Sequence, residues 1–179
     1  MEGVYYRRED YASFWRRMAV DVIDLLVAFA LAFLLISGLW IAIPSLDAAN
    51  LVMGVAAMVG FGYFVVLKKS RFRTLGYRLC GVRIVGIDGR SPGWGSLIYR
   101  VAFGFLGPLN WVVDLTWLSN DDHRQALRDK YAHTYVIKVS AEPVGPGKVI
   151  YRYYEILGYN FLFREVQIPS SYATTGRNP

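Results

Sequence analysis

The chain has 179 residues, 54% of them apolar and 16% aromatic, with a formal net charge of +6. Soluble domains usually hold about 45–50% apolar residues, and here the surplus is gathered into long runs that a lipid bilayer accommodates better than a core. One cysteine, Cys80, excludes an intrachain disulfide, and two histidines with no cysteine cluster give no zinc signature.

The first apolar segment, residues 18–39, follows Arg16 and Arg17, and after Asp24 comes the run LLVAFALAFLLISGLW without a charge. It is long enough to span a bilayer with some tilt. A cleaved signal peptide also begins with basic residues before an apolar stretch, but Asp21 and Asp24 and the greater length favour a retained helix. Pro44, Ser45, Asp47 and Asn50 then mark a turn, and residues 48–67 form a second uncharged segment. Gly54, Gly60 and Gly62 in it suit close helix approach, although membrane helices are glycine-rich in general.

The chain next becomes basic. Lys68, Lys69, Arg71, Arg73, Arg78, Arg83 and Arg90 are opposed only by Asp88. The positive-inside rule places this 68–90 stretch and the N-terminus, with Arg7, Arg8, Arg16 and Arg17, in the cytoplasm. Anionic lipids are candidate partners there, and the bland alternative is that the charges only set topology. Nucleic acid is not an expected partner, because the aromatics are not interleaved with the basic residues as a stacking groove requires.

Residues 82–87 are predicted as a strand ending in an Asp88-Gly89 turn, and residues 134–139 as a second strand. Between them lies a third apolar segment, 94–118, interrupted at Gly104 and at Gly107-Pro108 and carrying Arg100 and Asp114. Proline breaks the helical ladder. A bent or re-entrant hairpin, preferred over a straight span, returns the chain to the cytoplasmic side and lets the two strands pair. The predicted architecture is therefore mainly α and membrane-embedded: two transmembrane helices, a bent helical hairpin and a small cytoplasmic β-ribbon. Residues 1–140 form the membrane domain. Residues 141–179 form a linker (142–148) and an aromatic tail, whose 149–168 part reads equally as an interfacial element or a partner-binding strand.

The informative residues are charges in apolar surroundings, which cost about 2.5–3.5 kcal/mol each at the bilayer centre on insertion scales. Arg17, Asp21 and Asp24 fall within roughly 60° on a helix of about 100° per residue. Arg17 can pair with Asp21, and Asp24, a turn deeper, can take Arg17, Arg100 or an entering cation. Asp24 is thus either the titrating group of an ion relay or one half of a structural charge pair, and both readings stand. Arg100 and Asp114 can pair within the hairpin or snorkel. Asp129 can cap a turn or pair with a nearby base. His123 and His133 are expected to be exposed. No Walker loop, nucleophile elbow or metal signature is present, so neither enzymatic activity nor a metal or cofactor is expected.

Three blocks resemble the RDD family of membrane proteins, named for one arginine and two aspartates. FWRRMAVDVID supplies Arg17 and Asp24. TLGYRLCGVRIVGIDGRSPGWGSLIYR resembles the stretch written around T-x-G-K-x-x-x-G-x-x-V, with Tyr77 where lysine is common. RQALRDKYAHTYVIKV supplies Asp129. The resemblance implies a multi-pass protein of the cytoplasmic membrane, with transport of an unknown ligand suggested. Two spans and a hairpin are too few for a pathway, so a transporter would be an oligomer. The other expected role is a non-catalytic accessory or scaffold subunit of a larger membrane complex.

Overall fold

A computed structural model describes residues 2–45, 47–70, 72–105, 114, 117, 123–156 and 159–168. The protein is mainly helical, with two bilayer-length helices and small sheets. It divides into two compact units: residues 15–81, and residues 1–14 together with 82–179.

In the first unit, helix α1 runs over Phe14–Ala42, overshooting the predicted 18–39 at both ends. Its 29 residues rise about 43 Å, more than the roughly 30 Å hydrocarbon thickness. It buries a narrow stripe of Arg17, Val20, Asp24 and Ala28, while Leu26, Phe29, Phe33 and Leu34 are exposed. Helix α2, Ala48–Phe61, starts where Asp47 accepts the Asn50 N–H at 3.0 Å, a side-chain N-cap. It continues as a π-helical turn, Gly62–Leu67, so that Ala48–Leu67 is a second segment long and apolar enough to cross a membrane. The extra residue per turn in a π-helix rotates the side chains beyond it about the axis, and Tyr63 and Val65 are buried here. Helix α3, Leu75–Leu79, is short and ends at Gly81, whose φ of +62° lies in the left-handed region that glycine adopts without cost.

The second unit contains both predicted strands, paired as predicted. β2 (Val82–Gly86) runs antiparallel to β3 (Thr134–Lys138), with Val82 opposite Lys138 and Gly86 opposite Thr134. The Asp88-Gly89 turn is present, with Gly89 at φ +77° and Asp88 accepting the Arg90 N–H. Helix α4, Trp94–Phe105, continues through Gly104 rather than breaking there. The Gly107-Pro108 break, and with it the choice between spanning and re-entry, lies outside the described residues. Helix α5, Leu127–Ala132, closes with His133 in the left-handed conformation, φ +53°.

Three further strands complete this unit, two of them in the tail that the sequence left open between an interfacial element and a strand. β1 (Glu2–Tyr5), β4 (Gly145–Ile156) and β5 (Tyr159–Val166) form an antiparallel sheet in the order β1-β4-β5. Residues 145–148, read as linker from their Gly and Pro content, are the start of β4: Tyr5 lies opposite Gly145 and Glu2 opposite Lys148. Residues 149–156 and 159–166 of the tail pair as antiparallel strands. Val4 donates to the Ile87 carbonyl and Ala12 to that of Val136, which ties residues 2–12 to β2 and β3. Tyr5, Tyr6, Tyr11, Val85, Ile87, Tyr135, Ile137 and Val166 form the common core.

The hairpin's inner face lies on α5. Buried Phe163 meets the Tyr131 ring edge-on at 5.1 Å, and the Lys130 ammonium pairs with Glu165. Lys130 also lies over the Tyr154 ring, 4.8 Å from its centre. Burial pushes the Glu165 carboxyl up. The Lys130 and Tyr154 hydrogen bonds, with the charges of Lys130 and Arg152, outweigh it and hold the group below its ordinary 4.5. A carboxyl depressed in the folded state contributes stability that is present above its unfolded value and is lost as pH falls through the folded one. Hairpin docking should therefore be constant at neutral pH and loosen only on acidification below 4.5, as followed by limited proteolysis of β4 and β5. Glu165→Leu should cost about 3–5 kcal/mol by stranding the buried Lys130 ammonium, and Lys130→Met added to it should recover most of that loss in thermal unfolding.

Candidate functional site

The first candidate site is built around Asp24, 1% exposed on α1. A carboxylate accepts at both oxygens and is expensive to bury without donors. Here three donors converge. The Tyr63 hydroxyl reaches Oδ1 at 3.0 Å, the Gly76 N–H reaches Oδ1 at 2.8 Å, and the Thr74 hydroxyl reaches Oδ2 at 2.7 Å. The Tyr63 oxygen in turn accepts the Leu75 N–H at 3.2 Å.

This arrangement gives the T-x-G motif a mechanical meaning. A helix begins with backbone N–H groups that lack intrahelical partners, and the N-cap side chain usually takes one. Thr74 stands at the N-cap of α3 but makes no such bond; its hydroxyl goes to Asp24 instead. The N–H groups of Leu75 and Gly76 are taken by Tyr63 and Asp24, so α3 is capped by side chains from α1 and the π-helical turn. Gly76 is required for the approach: a Cβ there would sit 2.5 Å from the Val20 carbonyl and 2.7 Å from Asp24 Oδ1. Tyr77, at the position where lysine is common, is buried, and the Lys68 ammonium lies 5.1 Å from its ring centre and 5.2 Å from that of Phe64.

Of the partners expected for Asp24, Arg17 is buried on the same helix; Asp21, expected to pair with Arg17, is half-buried. The donors seen at Asp24 are ones that charge-pairing arguments do not nominate: two hydroxyls and a backbone amide. The T-x-G spacing was the signal that could have found two of them.

Asp129 belongs to the second unit and is fully buried. Arg100 on α4 donates to its Oδ1 and, at 2.8 Å, to the Thr134 hydroxyl. The Ala126 N–H donates to Oδ2 at 3.2 Å, the backward half of a capping box. Both readings of Asp129, cap and ion-pair partner, therefore hold together. Arg100 and Asp114 were expected to pair or to snorkel; the contacts seen lead elsewhere, Arg100 to Asp129 and Asp114 to Arg128, whose Nε is 2.9 Å and whose backbone N–H is 2.8 Å from the carboxylate.

The histidines are not exposed as expected. His123 is buried, stacked on Tyr135 at 5.7 Å and edge-on to Tyr11 at 5.8 Å, because the aromatic core recruits its ring. His133 is half-buried. Burial and the nearby Arg164 charge push its imidazole down, so it is neutral at pH 7. Among the described residues no group of three or more His, Cys, Asp or Glu side chains could hold a metal ion.

Two helices long and apolar enough to cross a membrane, a buried carboxylate on the first and a buried Arg–Asp pair beside a β-ribbon fit a membrane-associated protein. The RDD family matches residues 11–133, more than half of the chain, and the chain belongs to that family. No curated protein and no solved structure matches it.

Substitutions at Asp24 should separate charge from shape. In Asp24→Asn the amide oxygen can keep Tyr63 and Gly76, and the Thr74 hydroxyl can turn to accept from the amide nitrogen. Asp24→Leu leaves all three donors buried and unpaired, at about 1–3 kcal/mol each. Thermal denaturation in detergent should therefore show Asp24→Asn close to wild type and Asp24→Leu strongly destabilised. Gly76→Ala should lose about 1–3 kcal/mol through overpacking against α1.

Proposed function

We propose that the chain is a multi-pass protein of the cytoplasmic membrane that moves a cation, a proton or a ligand coupled to one, working as an oligomer. The observation that carries this reading is the Asp24 carboxylate, buried on a bilayer-length helix and held by neutral donors. Neutral donors keep a carboxylate in place without cancelling its charge. Hydroxyls are also reversible: Tyr63 and Thr74 donate to a bare carboxylate and can rotate to offer lone pairs when a cation or proton arrives. Intramembrane ionisable groups commonly mark such pathways. Arg17 on the same helix stripe supplies a fixed positive charge to the local field, and Asp129 with Arg100 a second buried polar station. The reading assigns no bond-breaking step, so the chain is a carrier and not an enzyme. The basic 68–90 stretch and the arginines near the N-terminus favour a cytoplasmic location for both.

An accessory role in a larger membrane complex is the second reading. It is favoured by the outer face of the β4–β5 hairpin, where Tyr151, Tyr153 and Leu162 are exposed. Aromatic surfaces of this kind are enriched at protein interfaces.

In proteoliposomes of the purified protein, wild type should give cation- or proton-coupled flux above empty vesicles, and Asp24→Asn, which keeps the fold, should abolish it. Flux equal to empty vesicles for both would remove transport. For the second reading, a heteromeric complex should survive mild detergent and be lost in Tyr153→Ser/Leu162→Ser; a homo-oligomer unchanged by that double substitution would remove it.

A further inference from the structure

The loop that holds Asp24 has a second, outward side. Helix α3 buries Gly76 and Tyr77 and exposes Leu75, Arg78 and Leu79. Leu75 and Leu79 are one turn apart and so share a face. Phe72, just before the helix, adds to the same short segment: exposure is 58% for Phe72, 42% for Leu75 and 67% for Leu79. Lys69, Arg73 and Arg78 are interspersed with these apolar residues. The segment begins two residues after Leu67, where the second bilayer-length helix ends. A chain leaving a span at Leu67 enters the headgroup layer, and the bonds from the Leu75 and Gly76 amides back to Tyr63 and Asp24 keep the segment beside the end of that span.

Two ideas compete for these basic residues. A topology signal needs only the charges. It does not need a phenylalanine and two leucines turned outward among them, and in water those side chains would be a cost without return. Apolar side chains alternating with cations at a span's end match the bilayer interface, whose apolar boundary and anionic phosphates take the two kinds of group separately.

We propose that residues 69–79 dock into the interface of an anionic bilayer, with Phe72, Leu75 and Leu79 at the headgroup–acyl boundary and Lys69, Arg73 and Arg78 on lipid phosphates, and that this docking holds Thr74 and Gly76 against Asp24. The coupling arises from the shortness of α3. The backbone whose inner side donates to Asp24 is the backbone whose outer side carries the leucines. Lipid on the outer side therefore resists the opening that would withdraw the Gly76 N–H and the Thr74 hydroxyl from the carboxylate. The lipid acts as a positioning partner of the Asp24 cradle. The proposal rests on the two-span membrane reading and is independent of whether Asp24 moves an ion.

Hydrogen exchange of the Leu75 and Gly76 amides tests it directly, because these are the groups donating to Tyr63 and Asp24. The full chain is compared in nanodiscs of phosphatidylcholine and of phosphatidylcholine with phosphatidylglycerol. Exchange at both amides should slow by roughly tenfold or more in the anionic discs, and raised salt should erode the difference. Arg73→Gln/Arg78→Gln should abolish the difference, and Leu79→Ser should speed exchange in both disc types. Equal exchange in the two discs, or a difference that survives the arginine substitutions, overturns the proposal. Slowing produced by glycerol phosphate added to phosphatidylcholine discs assigns the basic groups to a free phosphate and also overturns it. No flux is measured, so failure here leaves the transport reading standing, and failure of flux leaves this one standing.

Discussion

A carboxylate on a helix made for lipid must find donors or be lost to the fold, and the answer at Asp24 sets the terms for its neighbours. It draws in a tyrosine from a π-helical turn, a threonine that gives up its usual capping role, and an amide that only glycine can bring close enough. Tyr63 reaches the carboxylate from the π-helical turn that continues α2. The short helix α3 exists on these terms too. Five residues are far below the length at which a helix holds itself together, and its first two N–H groups are taken by side chains remote in sequence.

The other unit solves the same problem with opposite charges. On α5 three consecutive residues each pair with a different segment: Arg128 with Asp114, Asp129 with Arg100 on α4, and Lys130 with Glu165 on β5. Successive helical side chains point about 100° apart, so a helix of six residues can serve as a hub for three partners. Buried pairs of this kind add little net stability over apolar packing, but one missing member is costly. Their effect is to specify which segments meet. Asp129 is central to that hub and is further fixed by the Ala126 amide.

Much of this was legible in the sequence. The two apolar runs, the Asp88-Gly89 turn and the alternating strands 82–86 and 134–138 follow from period and turn chemistry, which are local. The buried charges on α1 and α4 were legible as anomalies, since Arg17, Asp24 and Arg100 sit in apolar runs. Their partners were not. Tyr63 and Thr74 are neutral and lie 39 and 50 residues from Asp24, so neither charge matching nor helical spacing points to them. The start of β4 escaped because Gly145, Pro146 and Gly147 carry the composition of a linker, and their pairing with residues 3–5 is a non-local event. His123 escaped because an aromatic core accepts an imidazole as readily as another ring.

That pairing of residues 2–5 with 145–148 also orders events in time. The sheet's first strand is synthesised before both long helices and its partner only after them. During that interval β1 has a row of unsatisfied N–H and C=O groups and no strand to pair with. Closing such a long-range contact is slow in chain-entropy terms. Formation of α1 and α2, which needs only local sequence, therefore runs ahead of it. The discontinuous unit of residues 1–14 and 82–179 can close only after both long helices have been made.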